Sequence, residues 1–464
     1  MDSRFKNFTQ EATIIQEIEN WHSLSIGIVG MPGTAHLSKA KREFTLSYDG
    51  LFEFPTNKRV SLEISGAIYE ATSNDFDPRF ASPFLDVPCL HSFDVDGLYR
   101  GTLQDKNMFR MFFFNTSKRQ NLFHFKLEKP KHDGVTPWAF DCVRLELKMA
   151  RYEISQYKHR DVEYIVIENL DPVSLINFKA ESYAIQKGIG FLCGYMPGGE
   201  HYIFSGTDFQ YSRLAREALK SIYHPVTSNP FSFTLLHKRR DIAQEYEKKL
   251  AVIPSVAASE LIRQIVDNED FAVAILFLME VTHSKSIVSM PGVFSVILES
   301  FANIIINPQQ VISQLITNSV TGKHLMEDLN SVLDMHAASI QPAALEKIRR
   351  RLPSLIRPIN PNRLTNFEKL REPFDQLGIH LSPADEAAIE YRNSLLHGDI
   401  LMNEGQARSS KEIDDHMLYI TAKLYTLISK LILKKCGYNG YVINQAKFYD
   451  YPHADNEPDF FELI

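Results

Sequence analysis

Two side chains in the last quarter of the chain have the types and the spacing needed to cut RNA. Arg392 and His397 are separated by four residues, and Asn393 follows the arginine directly. Histidine can donate and accept a proton near neutral pH, while arginine is permanently cationic and can hold a phosphate through two hydrogen bonds. These groups suit attack of a ribose 2′-hydroxyl on the adjacent phosphate, which leaves a 2′,3′-cyclic phosphate without help from a metal ion.

The spacing alone is a weak signal, because Arg119 and His124 repeat it elsewhere in the chain. That second pair lies at a predicted hairpin turn and on a strand of alternating apolar and polar residues, which favours a structural role. Arg392 lies instead in a predicted helix, where a rigid backbone can hold catalytic groups in place. The local context therefore favours Arg392 and His397 over Arg119 and His124 as the candidate pair.

The helix that carries the motif is predicted to start at Ser382 and can end at Gly398. At 3.6 residues per turn, Asn393 and His397 share a face of this helix, and Arg392 can reach round with its long side chain. Three polar groups would then converge near one helix end. A solvated arginine beside a histidine that caps the helix is the alternative interpretation.

The stretch Arg392-Asn393-x-x-x-His397-Gly resembles the Arg-x(4–6)-His signature of ribonucleases of the HEPN superfamily, in which the residue after the arginine is usually polar. The resemblance covers roughly residues 255 to 437. The β-rich half, followed by Asp171-Pro-Val-Ser-Leu, is similar to the N-terminal domain of ApeA-type phage-defence proteins. Three segments resemble the Apea-like branch of the superfamily, namely Phe294–Ser300, Ala344–Arg351 and Tyr391–Gly398.

The resemblance implies a metal-independent endoribonuclease in which Arg392, Asn393 and His397 are catalytic. It further implies bacterial anti-phage defence by abortive infection, in which a toxin cleaves host RNA such as tRNA after a phage-derived trigger reaches the N-terminal domain. Glu299 is a further catalytic candidate: it lies in a very apolar helix and needs a partner, for which Arg392 is a candidate, or else it lies exposed on a helix edge. The alternative is a catalytically inactive HEPN domain that serves as a dimerisation or nucleotide-binding scaffold or as a sensor.

A homodimer through the HEPN helices is expected, because cyclisation needs both a general base and a general acid while the motif supplies one histidine per chain. A two-fold contact through the motif helix would bring His397 and Arg392 of both subunits into one cleft. HEPN ribonucleases generally act as such dimers. The alternative is a monomer that uses water or Asn393 as the second proton-transfer group.

A basic run, Lys347, Arg349, Arg350 and Arg351 with Arg357 beyond it, could contact RNA phosphates. A solvated helix face is the favoured alternative. The net charge of -7 means that any nucleic-acid binding must rest on such a local patch.

No cofactor or metal site is predicted. The glycine-rich stretches Gly27–Gly33 and Gly188–Gly190 lack the Gly-Lys-Ser/Thr ending of a phosphate-binding loop and are predicted to be turns. The histidines share no ligand spacing. The cysteines are far apart and form neither a CxxC motif nor a disulfide framework, namely Cys89, Cys142, Cys193 and Cys436.

The elements that must position the motif follow from composition and periodicity. The chain has 464 residues, of which 44% are apolar and 23% charged, as expected for a globular protein of two or three domains. No secretory signal or membrane span is visible, so a cytoplasmic location is expected. The predicted fold is α+β and multidomain: a β-rich domain over residues 1–245, an all-α helical bundle over 246–445, and a mobile acidic tail over 446–464.

Local signals place individual elements within these domains. Apolar and polar residues alternate in Arg59–Ser65, Asn121–Leu127 and Arg144–Met149, which predicts strands with one buried face. A capping box formed by Ser409 and Glu412 begins the last long helix, and Gly437 ends it.

Overall fold

A computed structural model describes residues 3–40, 43–50, 57–73, 89–117, 139–226, 249, 253–306, 319–356, 366–396, 409–451, 457 and 459–464. The chain divides into two compact units. The first contains residues 1–297 and 408–464, and the second contains residues 298–407. These divisions fall at other places than the predicted boundary near residue 245.

Thirteen antiparallel strands form one sheet in the first unit, in the order β6-β3-β2-β1-β4-β5-β7-β14-β13-β8-β11-β10-β9. The predicted alternation is clear in β4, where Val60, Leu62 and Ile64 are buried. Two further pairs, β12 with β15 and β16 with β17, complete the described strands. The strands are β1 (Leu24–Ile28), β2 (Thr34–Ala40), β3 (Glu43–Gly50), β4 (Arg59–Ile64), β5 (Ala67–Thr72), β6 (Cys89–Val95), β7 (Gly97–Arg100), β8 (Arg110–Phe114), β9 (Ala139–Glu146), β10 (Arg151–His159), β11 (Val162–Asn169), β12 (Tyr195–Met196), β13 (Glu200–Ser205), β14 (Asp208–Arg213), β15 (Leu219–Lys220), β16 (Tyr441–Ile443) and β17 (Phe461–Leu463).

Two helices pack on opposite faces of the sheet. Helix α1 (Ser3–Glu19) buries Phe8 in the core of one face, where its ring lies 6.0 Å from that of Phe112. Helix α2 (Leu175–Cys193) lies on the other face, where Phe178 stacks beside Phe109 and Tyr152 at 5.2 and 6.2 Å between ring centroids. Because successive residues of a strand face opposite sides, each strand contributes to both layers.

The two glycine-rich stretches, both predicted to be turns, have different structures. Gly30 and Gly33 lie in the β1–β2 turn with positive φ, as predicted, whereas the prediction of a turn is wrong for Gly27, which lies inside strand β1. The prediction of turns at Gly188 and Gly190 is wrong, because both lie inside α2. A Cβ atom at Gly190 would come within 2.7 Å of the Met196 side chain, so glycine is needed there for close packing against β12.

The C-terminal half of the described chain is mostly helical, so the coarse prediction of a β-rich half followed by a helical half is confirmed. Ser259 and Thr282, in the first two of these helices, accept backbone hydrogen bonds from β9 and from Ile222, and so belong to the sheet unit. No helix among the described residues is long and apolar enough to cross a bilayer. The helices are α3 (Ser255–Asp267), α4 (Glu269–Ser284), α5 (Ser289–Ile305), α6 (Ser319–Met335), α7 (Pro342–Ile356), α8 (Asn366–Leu377), α9 (Pro383–Leu396), α10 (Ser410–Lys435) and α11 (Gln445–Phe448).

The expectation of a mobile acidic tail is wrong for the described residues after 450. Glu457 is 2% exposed and forms an ion pair with the fully buried Lys423 of α10, at 2.8 Å between Oε2 and Nζ. Glu462 forms a second ion pair with Lys430, one helical heptad further along. Glu457 and Glu462 are therefore partners of buried lysines that the sequence pattern alone did not connect with them.

Candidate functional site

Helix α9, which carries the predicted motif, begins where its sequence signals indicate. The Ser382 N–H donates to the Asp385 carboxylate at 3.0 Å, and the Asp385 N–H donates to the Ser382 hydroxyl at 3.1 Å. Pro383 is the first helical residue, a position where its missing N–H costs nothing. This reciprocal cap fixes the start of the helix, and its last described residue is Leu396.

Arg392 and Asn393 lie in the final turn and a half of α9, and His397 follows the last helical residue. The backbone of Arg392 and Asn393 is described, but their side chains are not. His397 lies outside the described residues. The prediction that the three side chains converge therefore stays a prediction, while the helical platform beneath two of them is confirmed.

Helix α9 packs against α8 within the second unit. Arg371 of α8 bridges to Glu386 of α9 at 3.0 Å, and α9 buries Ala388 and Ile389 one turn before the motif. Each buried residue anchors the helix through its apolar surface, at about 25 cal/mol per Å² removed from water. The final turn thus extends from a section of helix that is held on one side.

Glu299 lies on α5 with its side chain 45% exposed, and it accepts a hydrogen bond from Lys369 of α8 at 3.3 Å. Its apolar neighbours Leu298 and Phe301 are fully buried, so other faces of this helix pack in the core. The Glu299 side chain is therefore half-exposed, and Lys369 is one of its partners. A contact with Arg392 is not tested, because the arginine side chain is outside the described part.

The basic run lies on α7. Lys347 and Arg349 are exposed, and Arg349 forms an ion pair with Asp334 of α6. An ion pair this exposed contributes little to stability, so Arg349 remains accessible to other anions. The side chains of Arg350 and Arg351 are not described, and Arg357 lies outside the described residues. A solvated face and a face that contacts RNA both require this exposure.

Within the described ranges, no three histidine, cysteine, aspartate or glutamate side chains are grouped as metal ligands. His201, one of the scattered histidines, is a core residue. Its ring stacks on Phe113 at 5.3 Å, and its Nε2 lies 2.9 Å from the Tyr183 hydroxyl. Burial lowers the pKa of His201 to about 4, which keeps the ring neutral inside the fold.

Several buried charges were not found by sequence reasoning. Lys39 is buried and forms ion pairs with Glu200, at 2.6 Å, and with Glu19. Arg110 holds the Glu11 carboxylate through hydrogen bonds from Nε and Nη2. The members of these pairs are far apart in the chain, and no local spacing connects them. The one available signal is a lone charge on an otherwise apolar strand face, as at Arg110 before Met111 to Phe114.

Comparisons with protein-family models, with curated proteins and with solved structures give no match.

Proposed function

We propose that this chain is a metal-independent endoribonuclease of the HEPN type, with Arg392, Asn393 and His397 as its reacting groups. The observation that supports the proposal is the capped helix α9, whose last described turns carry Arg392 and Asn393. A rigid helix end suits catalysis because acid–base groups must stay within hydrogen-bond reach of the proton that they transfer. The guanidinium of Arg392 holds the scissile phosphate, and His397 moves protons.

The reaction cleaves the RNA backbone by internal transfer. The ribose 2′-oxygen loses its proton to a base and attacks phosphorus, the bond to the 5′-oxygen breaks, and that oxygen takes a proton from an acid. The products are a 2′,3′-cyclic phosphate and a 5′-hydroxyl. Asn393 can hold a non-bridging oxygen, while Glu299, already bonded to Lys369, takes no part in proton transfer in this proposal.

The working unit is a two-fold dimer, in which each chain supplies one His397 to a shared site. The reaction needs two proton-transfer groups, and one histidine cannot be base and acid on opposite sides of the same phosphate, so a second chain supplies the other. Mixing wild-type chains with His397→Ala chains tests this arrangement. A shared site predicts that activity falls faster than the wild-type fraction, whereas independent monomers predict a linear decrease.

The biological role is proposed on the resemblance alone. A cytoplasmic toxin that cleaves host RNA, such as tRNA, after a phage-derived trigger would stop growth of the infected cell. Arrest of growth on overexpression of wild type, with normal growth for His397→Ala, is the expected result. Equal growth of both strains would favour the inactive scaffold.

The decisive experiment compares single-turnover cleavage by wild type, His397→Ala and His380→Ala. His380 is an exposed histidine of the same unit and serves as the matched control. Loss of a general acid or base costs about 10²- to 10⁴-fold in rate, so His397→Ala should fall by that amount while His380→Ala stays near wild type. A rate for His397→Ala within about threefold of wild type would remove His397 from the mechanism.

A further inference from the structure

Helix α2 carries two lysines and a tyrosine along one side, at a spacing of four residues. Lys179, Tyr183 and Lys187 recur at i, i+4 and i+8, so they follow one stripe of the helix over about 12 Å of its axis. Tyr183 bonds to His201 of β13, which shows that this stripe borders the sheet. All three side chains are partly exposed, so a molecule in solution can reach them.

Strands β7 and β14 supply uncharged hydrogen-bonding groups beside the stripe. The Gln210 side chain accepts a hydrogen bond from Lys179 Nζ at 2.7 Å and donates to the Ser212 hydroxyl at 2.9 Å. Its amide nitrogen also lies 3.5 Å from the Tyr99 hydroxyl. We call these six residues the α2 polar cluster: Lys179, Tyr183, Lys187, Tyr99, Gln210 and Ser212.

No carboxylate in the described part of the chain pairs with either ammonium group of the cluster. Among the described residues, Lys179 has the neutral Gln210 as its partner, and Lys187 forms neither a hydrogen bond nor an ion pair. Burial lowers the pKa of both lysines, and the nearby positive charge of Arg216 lowers that of Lys187 further. Elsewhere in this unit, buried cations are paired with acids, as Lys39 is with Glu200 and Lys423 is with Glu457.

Half-buried ammonium groups without a paired carboxylate destabilise the folded protein, because burial disfavours the charged form unless a counter-charge is present. Binding of an anion supplies that counter-charge. We propose that the α2 polar cluster is a binding site for a phosphate-bearing small molecule, with Lys179 and Lys187 contacting its anionic groups and Gln210, Ser212 and Tyr99 donating further hydrogen bonds.

The distance between Lys179 and Lys187 along the helix indicates which kind of anion can contact both. Two lysines about 12 Å apart along a helix are too far apart for a single small ion to contact both closely without bending both side chains toward it. An extended polyanion, such as the phosphate chain of a nucleotide, can contact both. The partial burial of both ammonium groups favours a compact ligand over a nucleic-acid backbone, which is bound mainly through exposed cations. This inference is independent of the proposed ribonuclease activity.

Isothermal titration of the full chain with inorganic triphosphate, and separately with ATP, tests the site. Lys179→Met and Lys187→Met should each weaken binding by about tenfold or more, since each removes one charge-assisted contact. Lys158 is an exposed lysine on the same sheet, and Lys158→Met is the matched control that should change the affinity by less than about twofold. Binding of ATP but not of triphosphate would place recognition in the nucleoside and overturn the role given to the lysines.

The melting temperature separates a ligand site from a structural role. Replacing an uncompensated half-buried lysine with methionine should leave the melting temperature of the free protein unchanged or raise it. A fall in melting temperature for both variants, together with unchanged triphosphate affinity, would show that the lysines act in folding. Absence of triphosphate binding to wild type at low salt, or its complete displacement by an RNA oligonucleotide at equal phosphate concentration, would also overturn the proposal.

Discussion

The ion pair between Lys423 and Glu457 allows a quantitative prediction about the C-terminal segment. Glu457 Oε2 accepts hydrogen bonds from Lys423 Nζ and Asn444 Nδ2, each at 2.8 Å, and its Oε1 accepts one from the Tyr419 hydroxyl at 2.6 Å. The carboxylate thus has three donors in a site closed to solvent. The substitution Glu457→Ala removes the acceptor of all three, including the carboxylate that pairs with the buried Lys423 ammonium.

The expected loss is about 3–5 kcal/mol in the free energy of unfolding, the usual effect of removing one partner of a buried ion pair. Lys423→Met in the same chain removes the buried ammonium that has lost the Glu457 carboxylate, so the double variant should be more stable than Glu457→Ala alone by at least about 1 kcal/mol. Asp459 is an exposed acid of the same segment, and Asp459→Ala should change stability by less than about 0.5 kcal/mol.

Urea unfolding followed by tryptophan fluorescence measures this change in the relevant unit. The chain has two tryptophans, Trp21 and Trp138, and Trp21 lies in the unit that also contains the C-terminal segment. Trp21 packs against the rings of Phe44 and Tyr69, so its emission reports the loss of that core. A shift in midpoint at constant slope gives the difference directly. A Glu457→Ala protein within about 1 kcal/mol of wild type, or a double variant no more stable than the single one, would refute the argument.

Three further predictions concern the motif and the core. Arg392→Lys should lose most single-turnover cleavage, because an ammonium cannot form the two parallel hydrogen bonds of a guanidinium, and full activity would reduce Arg392 to a general charge. Cleavage should persist in excess EDTA and leave cyclic phosphate ends, whereas metal dependence with 5′-phosphate products would contradict the proposed chemistry. Burial lowers the pKa of His201 to about 4 from 6.5, so the unfolded chain takes up a proton at this histidine at a higher pH than the folded chain does. The free energy of unfolding should therefore fall by about 3 kcal/mol as the pH is lowered from about 6.5 to about 4. His201→Gln should flatten this part of the measured pH dependence.

Elements defined by local signals were predictable from the sequence. The capping box of Ser409 and Glu412 begins α10 as expected, and Gly437 follows its end with φ of 78°. Each of these features is decided by residues within one or two helical turns, where spacing determines which groups can meet. The strand pattern at Arg59 is of the same kind.

Features defined by distant partners were not predictable. The run of acids after residue 450 is typical of a solvated tail, but Glu457 lies opposite a lysine 34 positions earlier. Gly188 and Gly190 have the composition of a turn, yet a Cβ atom at Gly188 would meet the Ile262 side chain of α3, and one at Gly190 would meet Met196 of β12. For Glu457 and Gly188 the deciding atoms belong to distant segments, and for Gly190 they lie beyond the end of its own helix, so periodicity carries no information about them.

The two proposed sites belong to different compact units of the chain, so each can be tested without changing the other. The α2 polar cluster belongs to residues 1–297 with 408–464, while the motif helix α9 belongs to residues 298–407. Substitution of Lys187 should therefore change triphosphate affinity without changing the cleavage rate in the absence of ligand, and substitution of His397 should do the reverse. If triphosphate also changes the cleavage rate of wild type, linkage requires that RNA changes the affinity for triphosphate, and the bound phosphate compound would then regulate the nuclease. If it does not, the cluster binds its ligand for a purpose distinct from cleavage.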